Sequence, residues 1–401
     1  MNQLLIDTPT RLETELHRIY ELIASEPIAG NFSLLSGQVG YAVFESYYQR
    51  HFGLTDTSRV WERLGAGMDA IQSGEVDHTF AGGISGIAWG FLHLHNHGFL
   101  ADGSDNPHEI VAALDEPLFL LSMEDLYAGS FDYLHGGLGA CLYFLERPRT
   151  PEIVYYLTEI VNQLEKIAIK KIDGSMTWYF RNFDQPNDRS VSYNLGLSHG
   201  TASIVALLSL LYQHGYAQSA CARLIEGGLQ WLWSVRNENH PVVFPRQLFD
   251  DQPRNEFSRM AWCYGDLGIA HTFQLAGEIL KNNRWKQIAE QTMLKAATRR
   301  TRKETLVSDT AFCHGSGGIG HLFSKFAHSQ PNPVFDETAR FWLQVTLDQE
   351  LPPMEKDGSH PAIPLSTRGD LSFLDGEASV GMILLSQLGA DNAWERAFLM
   401  R

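Results

Sequence analysis

Two short stretches, Trp262-Cys263-Tyr264-Gly265 and Cys313-His314-Gly315, carry the side chains best suited to chemistry. Laid over one another they place Cys263 on Cys313, Gly265 on Gly315 and Gly268 on Gly318, so they are two copies of one structural unit. Two thiols and an imidazole are ligand types that Zn²⁺ prefers, and three protein ligands leave a fourth position open, as in a catalytic site. Free cysteine is also a common core residue. Cys141 and Cys221, in the middle of apolar runs, are read that way. Cys263 and Cys313 differ by position, since both stand two residues before equivalent glycines. A fold that arranges such copies around one centre brings Cys263, Cys313 and His314 onto a single zinc.

Other copies of the unit exist. A Gly-x-x-(Gly/small) step followed by an apolar run occurs at Gly37/Gly40, Gly83/Gly86, Gly136/Gly139, Gly200/Ser203, Gly265/Gly268, Gly315/Gly318 and Gly376/Ser379. The steps lie 46 to 65 residues apart, room for two helices and two loops. Between them run segments apolar on one stripe only: Leu12, Leu16, Ile19 and Ile23; Val60, Leu64, Met68 and Ile71; Ile153, Leu157, Ile160, Leu164 and Ala168; and Ala339, Leu343 and Leu347. The glycine-led runs are apolar nearly all round, so they are expected to be buried on every side. One-sided helices alternating with buried ones predict an all-α fold, a double-layered (α/α)7 toroid with glycine-led inner helices, as a single domain over 1–401. An open solenoid of helical pairs is the alternative. Glycine at each inner start lets helix ends converge and is expected to leave backbone N–H groups facing the centre. Two intervals, 172–195 and 237–258, are rich in proline and turn residues and predict loops or short β hairpins on the rim, with Val242-Val243-Phe244 strand-like.

Composition narrows the partners. With 47 acidic against 31 basic side chains the chain carries −16, which argues against nucleic acid or an anionic membrane surface. No apolar run is long enough to span a bilayer, and no secretory pattern opens the chain. Four cysteines without disulfide-like spacing suit a reducing cytoplasm.

Ser198-His199-Gly200, Trp262-Cys263-Tyr264-Gly265 and Cys313-His314-Gly315, in that order over the repeat, resemble the motifs of the lanthionine synthetase C-like family, the zinc-dependent lanthipeptide cyclases. The resemblance covers essentially the whole chain. It implies zinc on Cys263, Cys313 and His314, acid–base chemistry at His199 and an aspartate beside it at Asp132, in Phe131-Asp132-Tyr133-Leu134-His135-Gly136. Glu124 and Asp125 compete for that acidic role. It also carries over Arg259 and Tyr264, and a substrate that is a dehydrated precursor peptide. A dehydratase and an exporter are implied as partners, with the chain peripheral to a membrane-associated complex.

The implied reaction adds a peptide cysteine to dehydroalanine or dehydrobutyrine, forming a thioether ring. A free thiol is only about 3% thiolate at pH 7, and a zinc position removes its proton. Two cysteinates neutralise the ion, so the bound sulfur stays nucleophilic. Arg259 would stabilise the enolate, Asp132 would orient His199, and either His199 or Tyr264 would protonate Cα. Rival readings are addition of glutathione or another small thiol, a non-catalytic zinc-stabilised peptide-binding scaffold, and an α/α glycosidase, which needs paired carboxylates rather than a Cys–Cys–His set. Elsewhere, His93, His95 and His97 are read as a helix end. His271 and His321 are read as packing, and Asp266 and Asp375 as charge complements at helix starts. The run Arg299-Arg300-Thr301-Arg302-Lys303 is read as a solvated helix end or a docking patch.

Overall fold

The computed structural model describes residues 8–100, 106–180, 191–351, 363–365, 367 and 369–400. The outer layer is α1 (Thr8–Ser25), α3 (Ser58–Ser73), α5 (Asp115–Ala128), α7 (Pro151–Ile167), α9 (Gln218–Ser234), α11 (Asn283–Ala296) and α13 (Pro333–Asp348). The inner layer is α2 (Gln38–Phe52), α4 (Ile84–Asn96), α6 (Ala140–Glu146), α8 (Thr201–Gln213), α10 (Asp266–Ile279), α12 (Ser316–Ser329) and α14 (Glu377–Gln387). α14 packs on α1 and α2, which closes the ring. Arg18 to Glu377 and Arg11 to Asp348, both at 2.7 Å, tie the closure.

The two layers start differently. Three of the outer helices use side-chain caps: Thr150 before Pro151, Asn282 before α11, and Asn332 before Pro333 each accept a backbone N–H of the first turn. Inner helices start at glycine and bury their whole circumference, as α2 does from Gln38 to Gln49. In α2, α4, α12 and α14 the first N–H does not face the centre as expected. The loop itself takes it: Gln38 N–H donates to Asn31 O, Ile84 to Asp77 O, Ser316 to Asp309 O and Glu377 to Asp370 O, at 2.8–3.0 Å. The leading glycine makes this possible, since a Cβ at Gly83 would sit 2.1 Å from Asp77 O. The second glycine serves convergence between units. A Cβ on Gly40 would lie 2.7 Å from Phe373 Cβ, and one on Gly139 the same distance from Phe80 Cβ. In the third unit the helix starts after Gly139 rather than at Gly136.

Superposing the seven steps gives each of the three residues before the leading glycine a distinct environment. The third residue back, Leu34, Phe80, Tyr133, Leu197, Trp262, Phe312 or Phe373, is wholly buried. The second joins a circular backbone ladder. Leu35 N–H bonds to Ala81 O, Ala81 to Leu134, Ser198 to Cys263, Cys263 to Cys313, Cys313 to Leu374 and Leu374 back to Leu35, at 2.8–3.3 Å. The residue just before the glycine (Ser36, Gly82, His135, His199, Tyr264, His314 or Asp375) faces out of this ladder and is exposed or half-buried.

Beneath the ladder the centre is filled by the C-terminal segment. A 3₁₀ turn, Ala393–Phe398, buries Trp394 and Phe398, and Phe398 packs against Phe312, Trp262 and Phe373 with ring centres 4.6, 5.5 and 5.5 Å away. Trp262 Nε1–H donates to Phe398 O at 3.1 Å. Buried Glu395 meets His321 at 2.7 Å and also Lys325, while His271, wholly buried, is pushed down to about 4 by burial. His93 is likewise buried, with Tyr47 OH 3.0 Å from its ring.

The rim insertions carry short β pairs, as expected, but one pair joins the two insertions to each other. β1 (Ile169–Lys170) pairs with β2 (Met176–Thr177), and β3 (Ser192–Asn194) crosses to β4 (Gln247–Phe249) antiparallel, so the two insertions pair with each other. Val242-Val243-Phe244 is not the strand. Its buried backbone instead turns toward Asp266, which accepts Val243 and Phe244 N–H at 3.0 and 2.8 Å. Gln185-Pro186-Asn187-Asp188, among the turn-forming residues of the first interval, lies outside the described residues. A third interval carries β5 (Glu350–Leu351) paired with β6 (Ile363–Pro364). Two further readings shift. The buried stripe of α13 is Phe335, Thr338, Ala339, Trp342 and Val345, with Leu343 and Leu347 at its edge. Arg299 is not solvated: it is buried and holds fully buried Asp266 at 2.6 Å. No helix among the described residues is long and apolar enough to cross a membrane.

Candidate metal centre and active site

The ladder sets the sulfurs. Cys263 N–H and Trp262 N–H both donate to Cys313 O, at 3.3 and 3.1 Å, while Ser198 donates its N–H and Oγ–H to Cys263 O, each at 3.2 Å. Ligand atoms of Cys263, Cys313 and His314 then lie within 4.8 Å of one another, the one such cluster among the described residues. Cys141 and Cys221 are far from this role, buried in α6 and α9, and burial pushes both thiols up.

The donor set fits a divalent cation of zinc type. Burial opposes ionisation of Cys263, but hydrogen bonds from Cys313 and His314, with the charges of His314 and Arg259, outweigh it and bring that thiol down to about 6. Cys313 is pushed well above its ordinary value, first by the hydrogen bond it gives Cys263 and then by burial. Two such sulfurs alone hold one negative charge between them; a cation lets both be thiolates. Two carboxylates flank His314: Asp309 lies 3.3 Å from Nε2 and Asp375 3.5 Å from Nδ1. An imidazole that ligates through one nitrogen has only the other free to donate, so one of these two carboxylates can be its outer support. Asp375 does more than complement a helix start, because burial raises its carboxyl and it also faces the Cys313 thiol.

Next to this cluster stands a second constellation. His199 Nδ1 is 2.6 Å from Asp132 Oδ2, while Asp132 Oδ1 accepts Leu134 and His135 N–H at 2.8 and 3.1 Å. Burial lowers the His199 pKa, but the bond and charge of Asp132, with the nearby Cys263, carry it above its ordinary 6.5. The competing carboxylates are elsewhere: Asp125 pairs with His78 at 2.8 Å, and Glu124 points to solvent. Tyr264 lies against His199 with ring centres 6.0 Å apart, in space that a side chain at Gly196 would fill. Arg259 is half-buried, near enough for its charge to act on Cys263. Gly265 after it adopts φ +77°, open to glycine alone at low cost.

A family described as "Lanthionine synthetase C-like protein" matches residues 29–399. The chain belongs to the lanthionine synthetase C-like family. It is 25% identical over 283 residues to the "Nisin biosynthesis protein NisC" of Lactococcus lactis subsp. lactis. That match covers 63% of each chain, so the chain spans just under two thirds of the curated relative it matches. The solved structure of "Nisin cyclase" superposes with a TM-score of 0.73 at 18% identity, over 98% of this chain and 97% of that one. The shared architecture is therefore the whole toroid.

Sequence reasoning gave no role to two neighbours of the site. His135, exposed one unit before His199, stacks on it with ring centres 5.7 Å apart and 14° between planes. Arg246 places its guanidinium 4.5 Å over the Tyr264 ring. The superposed repeat singles out His135 in advance, because it occupies the same outward position as His199, Tyr264 and His314. Arg246 belongs to an insertion and has no counterpart in the repeat.

Proposed function

We propose that the chain is a lanthipeptide cyclase. It adds a peptide cysteine across the Cα=Cβ bond of dehydroalanine or dehydrobutyrine in the same precursor peptide, closing a lanthionine or methyllanthionine ring. The observation that carries this reading is the meeting of Cys263, Cys313 and His314 within 4.8 Å, in a chain of this family. The Asp132–His199 pair beside them favours an enzyme over a scaffold, which needs only the ligands.

Cys263, Cys313 and His314 would hold the zinc, which when bound supplies a Lewis-acid position where an incoming thiol is favoured as thiolate. Whichever of Asp309 and Asp375 faces the nitrogen left free by the metal would keep His314 oriented. As the S–Cβ bond forms, the alkene π pair moves onto the acceptor carbonyl as an enolate, and Cα then takes a proton. Overall S–H adds across C=C and nothing is oxidised. Asp132 accepts from His199 Nδ1–H, which fixes the tautomer and leaves Nε2 to hold or deliver a proton. The raised His199 pKa keeps a larger share of imidazolium at neutral pH, suited to a donor toward Cα. Arg259 adds positive charge beside the sulfur, and Tyr264 is the second candidate donor.

The reading includes a separate dehydratase acting first and a cytoplasmic setting that keeps peptide thiols reduced. Association with that dehydratase and an exporter at the membrane belongs to the same proposal. The test is incubation of the zinc-supplied protein with a dehydrated precursor peptide. Cyclisation removes alkylatable thiols without changing peptide mass; thiols that stay alkylatable contradict the reading.

A further inference from the structure

Arg246 stands apart from the other arginines near the centre. It lies on the second rim insertion, one residue before β4, and its own carbonyl accepts Leu195 N–H at 3.2 Å, binding it to the turn that leads to His199. Its guanidinium is exposed, rests on the Tyr264 ring, and is close enough to His199 for its charge to oppose that of the imidazolium. Among the described residues it has no hydrogen bond or ion pair, although the chain has 47 acidic side chains to offer. Five N–H donors are thus presented beside the catalytic pair without a protein acceptor.

The placement is built rather than incidental. The insertion is pinned from the outer layer inward: Arg299 holds Asp266, and Asp266 takes Val243 and Phe244 N–H. Asn237 Nδ2–H donates to Val242 O and Glu256 O at 2.9 and 2.8 Å, closing the base of the loop. β3–β4 pairing fixes its far side. A surface arginine serving solubility needs none of this.

We propose that Arg246 binds the acceptor. Its guanidinium takes the carbonyl oxygen of the dehydrated residue and stabilises the negative charge that appears there as sulfur bonds to Cβ and the π pair moves to oxygen. The proton then goes to Cα, and no other co-reactant enters. Labour divides between two cations: Arg259, expected from the sequence to stabilise the enolate, has its charge on the sulfur of Cys263, which leaves the acceptor end beside His199 to Arg246. This assignment rests on the cyclase reading above.

The experiment is steady-state kinetics of zinc-loaded wild type, Arg246→Gln and Arg246→Lys on one dehydrated peptide, with zinc content and melting temperature measured in parallel. Loss of an oxyanion donor lowers kcat by roughly 10²-fold. Arg246→Gln is expected to show that loss with KM changed less than about threefold, zinc and melting unchanged, and partial recovery in Arg246→Lys, which keeps the charge but not the fork. Repeating the pair of measurements in a Tyr264→Ala background separates contact from clamping. A residue that touches the acceptor loses a similar factor there, whereas one that merely holds Tyr264 loses nothing, and that second result overturns the assignment. Wild type that turns over while Arg246→Gln matches it within about twofold overturns Arg246 alone. Wild type that holds zinc yet closes no ring overturns the cyclase reading together with this assignment.

Discussion

Units 1, 2, 4, 6 and 7 of the ring differ from units 3 and 5 at one position, six residues before the leading glycine. In the first group it is Asn31, Asp77, Asn194, Asp309 or Asp370, and its side-chain oxygen accepts the N–H two residues on, at 2.8–3.0 Å. That local turn shapes the loop before each inner helix. Unit 3 has Ser130 there, and its aspartate has moved two residues along to Asp132. Asp132 still serves the loop with Oδ1, through Leu134 and His135, but its second oxygen is released toward His199. Unit 5 has Arg259 instead. Asp132 and Arg259, two of the residues assigned to chemistry, thus stand in the two units that give up this turn, while units 4 and 6 keep it beneath His199 and Cys313-His314.

The backbone ladder shows the same contrast. Six of its seven links are backbone bonds among the described residues; the missing one lies between Leu134 and Ser198, where Leu134 N–H goes to Asp132. The Asp132–His199 bond spans that gap. On the proposed reading, a scaffold position takes a reactive role without opening the ring.

Breaking the comparison at the sulfurs has the largest expected effect. Cys263→Ala or Cys313→Ala loses zinc and ring formation together, measured by metal analysis and thiol alkylation, whereas Cys141→Ala keeps both. Asp132→Asn comes next. It keeps zinc and lowers ring formation by roughly 10²–10⁴-fold. If imidazolium is the donor, kcat falls as pH rises through the raised His199 pKa. With Asp132 neutral, burial dominates, that pKa drops, and the alkaline limb of a pH–rate profile moves to lower pH. Phe398→Ala, under the ladder, removes a ring packed on both cysteine-bearing units and costs about 3–5 kcal/mol by denaturant unfolding. The smallest effect sharpens the contrast. Asp77→Ala, the scaffold counterpart of the released aspartate, loses two hydrogen bonds to Thr79, costs about 1–2 kcal/mol, and leaves zinc and kcat in place.

The toroid was legible because glycine steps and one-sided stripes are local signals that repeat. The meeting of Cys263, Cys313 and His314 was legible for the same reason, since equivalent positions in a closed ring must converge. Phase errors arose where both faces of a helix are apolar, as at Leu343 and Leu347 of α13. Asp132 could not be separated from Glu124 and Asp125 by pattern alone, because the partner that selects it lies 67 residues away. Arg299 reads as solvated in a run of five polar residues, and only the fold sets Asp266 against it. Arg246 was beyond reach of the repeat because its place depends on pairing between two insertions.

The most direct test is the metal content of the purified chain, followed through removal by a chelator and return, with ring closure on a dehydrated peptide measured at each stage. A single zinc per chain, with closure lost and regained as zinc is, is the expected result. A chain stripped of metal that closes rings at the wild-type rate would contradict the assignment of Cys263, Cys313 and His314.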